Sequence, residues 1–128
     1  MRELDIQIML IKYLQYQYPK IMLNAAQILS SIPLERGKYA QKMKAAGNTS
    51  GWPDIFIAEA RGGFHGLFIE LKSETAKVFL KRSEKPATEH IAKQIAVLEG
   101  LRERGFKAEL CIGFEAAKKV LDDYLNLP

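Results

Sequence analysis

Apolar residues recur along this chain with two periods, and the switches between them mark its elements. Over residues 3–18, Ile6, Leu10, Tyr13 and Leu14 fall on one stripe at helical spacing, which predicts an amphipathic helix. Pro19 ends it, because the residue before a proline avoids the helical region. Ile21 to Asn24 reads as a short strand. Leu34 to Ala46 carries charges and good helix formers, and Gly47-Asn48-Thr49-Ser50-Gly51 is a loop by composition. Ile55-Phe56-Ile57-Ala58 is a partly β-branched apolar run of the kind that forms a buried strand. Arg61-Gly62-Gly63-Phe64-His65-Gly66 reads as a hairpin turn into a second strand, Leu67 to Lys72. Glu74 to Glu89 is charged and has no clear period. A strong helix follows Pro86, from Ala87 to Arg104, with Ile91, Ile95, Leu98 and Leu101 on its stripe. Gly105 is placed for a left-handed C-terminal cap. Phe106 to Ile112 predicts a further strand and Ala116 to Leu125 a last helix. The order helix, strands, helix, strand, helix predicts one α/β domain over residues 1–128, with a mixed central sheet flanked by helices.

Composition changes this picture little. The 128 residues are 48% hydrophobic and 27% charged, which excludes a disordered tail and a disulfide scaffold. Apolar runs such as Ile8-Met9-Leu10-Ile11 fall far short of the ~20 residues of a membrane span. Charges at Arg2, Glu3, Asp5 and Lys12 argue against a secretory signal. The single cysteine, Cys111, has no partner for an internal disulfide and is expected in a buried strand, so a cytoplasmic protein is the default expectation. Nineteen Lys and Arg against fifteen Asp and Glu give a net charge of +4. That balance permits a nucleic-acid partner.

The chemistry lies in Trp52-Pro53-Asp54 and Glu70-Leu71-Lys72. Side chains alternate along a strand, so Leu67, Ile69 and Leu71 share a core face while Phe68, Glu70 and Lys72 share the other. A carboxylate and an ammonium at the end of an apolar strand are costly to bury unless paired or used. Pro53 stiffens the entry to the preceding strand. The short connection makes the two strands an antiparallel pair, so Asp54 comes close to Glu70. Two carboxylates and the backbone carbonyl of Leu71 form an oxygen set suited to Mg²⁺, with Mn²⁺ expected to substitute. Lys72 is placed to hold or deprotonate an attacking water. Metal activation and charge neutralisation at phosphorus hydrolyse phosphodiesters.

Pro53-Asp54 followed by Glu70-Leu71-Lys72 resembles the motif of the PD-(D/E)xK nuclease superfamily. The chain is more closely similar to the virus-type replication–repair nuclease (VRR-NUC) family in its small stand-alone form. That likeness rests on four features: Glu3 in a first helix ahead of Ile6-Gln7; Lys44-Ala45-Ala46-Gly47 leading through Ser50-Gly51 into Trp52-Pro53-Asp54; Gln94 in the helix after the lysine strand; and a tail of Leu98, Leu101 and Gly105-Phe106, then a strand, Gly113-Phe114 and Ala116-Ala117. The connection from Lys72 to Gln94 departs from the family by being lysine-rich. The resemblance implies a restriction-endonuclease-like core and a metal-dependent endonuclease acting on DNA, with selectivity for branched or four-way-junction DNA. It implies that Asp54 and Glu70 are metal ligands, Lys72 the catalytic lysine, Glu3 the acid of the first helix and Gln94 the glutamine of the following helix. Asp5 is the alternative acid. Glu3 lies seven residues before Leu10, which places it on the buried face. Stand-alone members look like junction resolvases, so a homodimer is expected in an intracellular bacterial or viral setting. Tyr16, Tyr18, Ile21 and Met22, or Val78-Phe79-Leu80, are its candidate patches.

Each residue also has an ordinary reading. Glu3 can serve the helix dipole, Glu70 and Lys72 a solvated pair, and Asp54 a turn. Their joint occurrence in order, with Gln94 on an apolar stripe, favours the nuclease. Lys77, Lys81, Arg82 and Lys85 are expected to track DNA phosphates or to form a solvated face. His65 and His90 lack ligand partners at useful spacing and are expected at the surface. The competing class is a catalytically silent DNA-binding module on the same scaffold. A nucleotide-binding protein is disfavoured because no glycine-rich loop follows a strand.

Overall fold

The computed structural model describes residues 1–27, 42, 45–47, 50–80 and 85–128. Helix α1 (Glu3–Gln17) is followed by a 3₁₀ turn (Ile21–Asn24), then strands β1 (Ala25–Gln27), β2 (Ile55–Ile57) and β3 (Leu67–Lys72). Helix α2 (Glu89–Glu103), strand β4 (Lys107–Ile112) and helix α3 (Phe114–Leu125) complete the order. The sheet runs β1-β2-β3-β4. The first two pairings are antiparallel, with Ile55 opposite Ile69, and β3 pairs parallel with β4, Lys72 opposite Ile112. A parallel pair needs a crossover, which α2 supplies. The mixed sheet flanked by helices is the α/β class expected.

Both faces of β3 are covered, so all six of its residues are buried. On one face, Leu67, Ile69 and Leu71 join Ile6, Leu10 and Leu14 of α1 and Ala117, Leu121 and Tyr124 of α3. On the other, Phe68 packs with Leu98 and Leu101 of α2 and with Ala108. Each large side chain so buried contributes roughly 1.5–3 kcal/mol relative to exposure. Tyr13 and Tyr18 each donate a hydroxyl hydrogen bond to Asp122 Oδ1, at 2.7 and 2.8 Å, and tie α1 to α3. That clasp fixes where the N-terminus of α1 arrives over the sheet.

One expected strand is overturned. Ile21 to Asn24 forms a 3₁₀ turn, and the strand begins at Ala25. The carbonyl of Tyr18 accepts from the amides of Ile21 and Met22, at 3.0 and 3.1 Å, which winds the chain straight after Pro19. Ile21 and Met22 still pack on the core from this turn, so their apolar character is used without a strand. Other boundaries move slightly. Helix α2 starts at Glu89, where the Thr88 hydroxyl accepts from the Ile91 amide at 3.1 Å. Strand β4 starts at Lys107. Helix α3 starts at Phe114, directly after Gly113. The expected helical stretch Leu34 to Ala46 lies almost wholly outside the described residues. Within Glu74 to Glu89, Phe79 bridges Pro86, and Ala87 donates to the carbonyl of Val78 at 2.8 Å.

Candidate active site

The site forms where β2 begins and β3 ends. Pro53 is buried, and Trp52 sets its ring edge-on to Phe68 at 5.9 Å between centroids, so the entry to β2 is held on both sides. The Asp54 amide donates to the Ile69 carbonyl at 3.0 Å. The Leu71 amide donates to Asp54 Oδ2 at 2.8 Å, which orients the carboxylate. Successive residues of a strand send their backbone groups to opposite edges. Lys72 accepts from Gly113 at 2.9 Å on the β4 side and the Leu71 amide points to Asp54, so the Leu71 carbonyl faces the Asp54 side.

Glu70 is 2% exposed and Lys72 7% exposed, on the face of β3 covered by α2. Lys72 Nζ pairs with Glu70 Oε1 at 3.5 Å. Gln94, itself buried on α2, donates from Nε2 to the same oxygen at 2.7 Å. The amide that stood out on an apolar stripe thus has its partner in the β3 carboxylate. Glu70 Oε2 and Gln94 Oε1 are buried with no hydrogen-bond partner among the described residues. Glu3 completes the cluster from the first turn of α1: one oxygen each of Glu3, Asp54 and Glu70 lies within 4.8 Å of the others.

This clustering is electrostatically unfavourable without a cation. Burial pushes the Glu70 carboxyl up to about 8, and the Asp54 carboxylate adds to the rise while the Lys72 ammonium opposes it. Burial also raises Asp54, against the stabilising hydrogen bond from the Leu71 amide. A proton on Glu70 and a cation in the cluster would therefore compete for the same carboxylate. Two or three carboxylate oxygens and a carbonyl are the hard donor set that a divalent cation of the Mg²⁺ type takes, so the residues fit the metal.

Four points depart from the sequence reading or lie beyond it. Glu3 is exposed, not buried; it reaches the cluster from the solvent side. Asp5 is exposed and absent from the cluster. Lys77 and Lys85 are exposed on the segment after β3, whereas Lys81 and Arg82 lie outside the described residues. The suggested dimer patches are partly consumed by the core. Tyr18, Ile21 and Met22 pack inward and Val78 is buried, leaving Tyr16, Phe79 and Leu80 at the surface. Cys111 is buried in β4, and His65 and His90 are exposed. No described helix is long and apolar enough to cross a membrane.

Sequence reading missed one neighbour of the site. Lys93, next to Gln94 on α2, donates from Nζ to Ser50 Oγ at 2.8 Å. Nothing in local spacing links positions this far apart in the chain.

No family sequence model and no curated protein sequence matches the chain. A solved structure described as a VRR_NUC domain protein is similar to it, with a TM-score of 0.75 and 25% sequence identity. The match spans 99% of this chain and 90% of that one. Over nearly its whole length the chain therefore shares the nuclease fold of a VRR_NUC domain protein, and it sets Pro53-Asp54 and Glu70-Leu71-Lys72 around one acidic cluster, as the resemblance of its motifs to the VRR-NUC family leads one to expect.

Proposed function

We propose that the protein is a divalent-metal-dependent endonuclease that hydrolyses DNA phosphodiester bonds and prefers branched DNA such as four-way junctions. The observation that carries this reading is the convergence of Glu3, Asp54 and Glu70 within 4.8 Å, with the Lys72 ammonium 3.5 Å from Glu70. Asp54, Glu70 and the Leu71 carbonyl are the residues that would hold the metal. When bound, such a cation neutralises charge at the scissile phosphate and lowers the pKa of a coordinated water. Gln94 holds Glu70 Oε1, while Oε2 has no hydrogen-bond partner among the described residues. Lys72 orients the attacking water and offsets negative charge as the phosphorus is attacked. Glu3 closes the solvent side, where its carboxylate would add to the negative charge that draws a cation into the cluster. Lys77, Lys81, Arg82 and Lys85 are assigned to the flanking DNA phosphates.

The test is calorimetric titration with Mg²⁺ and Mn²⁺ beside a cleavage assay. Asp54→Asn and Glu70→Gln are expected to lose metal binding and cleavage while retaining DNA binding, since negative charge near phosphate is removed. Lys72→Ala is expected to keep metal binding and lose turnover, because an ammonium is no ligand. Lys72→Arg restores little, as the planar guanidinium differs in shape and cannot give up its proton. Cleavage that persists in Asp54→Asn and Glu70→Gln would make the protein a DNA-binding module with a contaminating activity.

A further inference from the structure

The ammonium of Lys93 stands apart from most described lysines with an ordered partner. Lys72, Lys107, Lys118 and Lys119 each pair with a carboxylate. Lys93 hydrogen-bonds instead to a neutral hydroxyl, Ser50 Oγ, at 2.8 Å, and no ion pair joins it to an acid among the described residues. Its stem is also held. Gly51 has φ +87°, and a methyl group there would stand 3.0 Å from Lys93 Cγ and 3.3 Å from Cδ, so the missing side chain makes room for the lysine to lie along the loop. The rotamer entropy of a long side chain, up to about 2 kcal/mol, is thereby partly lost before any ligand arrives.

The place of this lysine matters as much as its order. It adjoins Gln94, whose amide touches Glu70. Its partner Ser50 is four residues before Asp54, a span of at most about 14 Å. A positive charge and a hydroxyl donor therefore sit together on an exposed rim, joined to the acidic cluster through Gln94 on one side and through the chain from Ser50 to Asp54 on the other. Successive phosphates of one DNA strand advance by about 3.4 Å along the helix axis, so this rim lies within a few phosphates of a bond cut at Asp54 and Glu70. We infer that Lys93 and Ser50 form a phosphate-binding notch that seats a backbone phosphate of the cleaved strand beside the scissile one. This inference rests on the nuclease reading for its substrate, and names a contact within that same site.

The notch is tested by DNA binding to a short duplex over a salt series, with Ca²⁺ in place of Mg²⁺ to limit turnover, for wild type, Lys93→Gln, Lys93→Arg and Ser50→Ala. One lost phosphate contact reduces the slope of log affinity against log salt by about 0.9 on duplex DNA. Lys93→Gln is expected to show that reduction and, in a separate cleavage assay with Mg²⁺, a raised KM with little change in kcat. Lys93→Arg is expected to keep the wild-type slope. Ser50→Ala is expected to weaken binding at unchanged slope. Calorimetric Mg²⁺ affinity is expected to stay at the wild-type value in all three variants. An unchanged slope in Lys93→Gln overturns the inference. So does a loss of metal affinity with DNA binding intact, which would make the lysine only a clasp for the Asp54 loop. A wild type that binds DNA with the expected slopes but never cleaves would overturn the nuclease reading and leave the notch standing.

Discussion

Glu70 concentrates the chemistry of this protein in one side chain. It is buried, shares one oxygen between Gln94 and Lys72, and leaves the other without a partner. Its carboxyl titrates at about 8, against an ordinary value of 4.5. Between those values the folded protein keeps a proton that the unfolded chain has released. The stability of the metal-free protein therefore falls as pH rises from about 4.5 to about 8, and the full penalty stands above that range. Asp54, also raised, acts in the same direction. One pKa unit corresponds to about 1.4 kcal/mol, so the change is on the order of a few kcal/mol. Denaturant midpoints measured in chelator at pH 5, 6.5 and 8 are expected to decline, and Glu70→Gln is expected to flatten the decline. Added Mg²⁺ should stabilise more at pH 8 than at pH 6, because it displaces the proton. A wild-type midpoint that is level across this range would contradict the electrostatics of the cluster. Gln94→Leu, which leaves Glu70 Oε1 without its amide donor, is expected to cost about 10–100-fold in metal affinity or turnover, as supporting partners of metal ligands do. A Gln94→Leu enzyme with wild-type turnover would reduce this contact to packing.

At the scale of elements, the parts read most directly from sequence are those whose period is uninterrupted. Strand β3 is bounded at Leu67 and Lys72 as its alternation predicts, and its two faces separate into core and site. The pairing of β2 with β3 follows from the short turn between them, and it brings Asp54 to the end of β3 as expected. The stripe of α1 is likewise legible in Ile6, Leu10 and Leu14. What was not legible arises from contacts between distant segments or from local backbone bonds. The apolar residues Ile21 and Met22 have strand-like composition, yet two bonds to the Tyr18 carbonyl set their conformation. Glu3 shares the buried stripe by spacing, yet burial on α1 begins only at Ile6, and spacing does not encode where along a helix covering starts. The pairing of Lys93 with Ser50 needs the fold itself. The clasp of Tyr13 and Tyr18 on Asp122 is another contact of this kind, and it carries a prediction. Asp122→Ala removes the acceptor of both hydroxyls. It is expected to cost about 1–3 kcal/mol in denaturant unfolding. An unchanged midpoint would show that water replaces the carboxylate without loss, and that other contacts hold α1 over the site.

For the whole molecule, the one acidic cluster among the described residues would serve, on the proposed function, one strand cut per encounter. Symmetric cleavage of a branched substrate needs a second cluster, which a two-fold pair of chains supplies in the simplest way. Tyr16, Phe79 and Leu80 are the surface residues left from the suggested patches, and aromatic side chains are enriched at interfaces. Light scattering is expected to give twice the 14.5 kDa chain mass, with or without DNA. A monomer at working concentration, also on DNA, would remove the paired-cut scheme while leaving the single metal site intact. The net charge of +4 fits a protein that meets a polyanion while presenting an acidic centre to it.

On the proposed function, Glu3, Asp54, Glu70 and Lys72 form a metal-dependent phosphodiesterase centre. It is tested most directly by incubating the protein with end-labelled linear, flapped and four-way-junction DNA, in Mg²⁺ and in chelator, beside Asp54→Asn. Cleavage in Mg²⁺ is expected for the wild type alone, strongest on the junction and on two of its strands, and absent in chelator. Cleavage that proceeds equally in chelator, or equally in Asp54→Asn, would contradict the account.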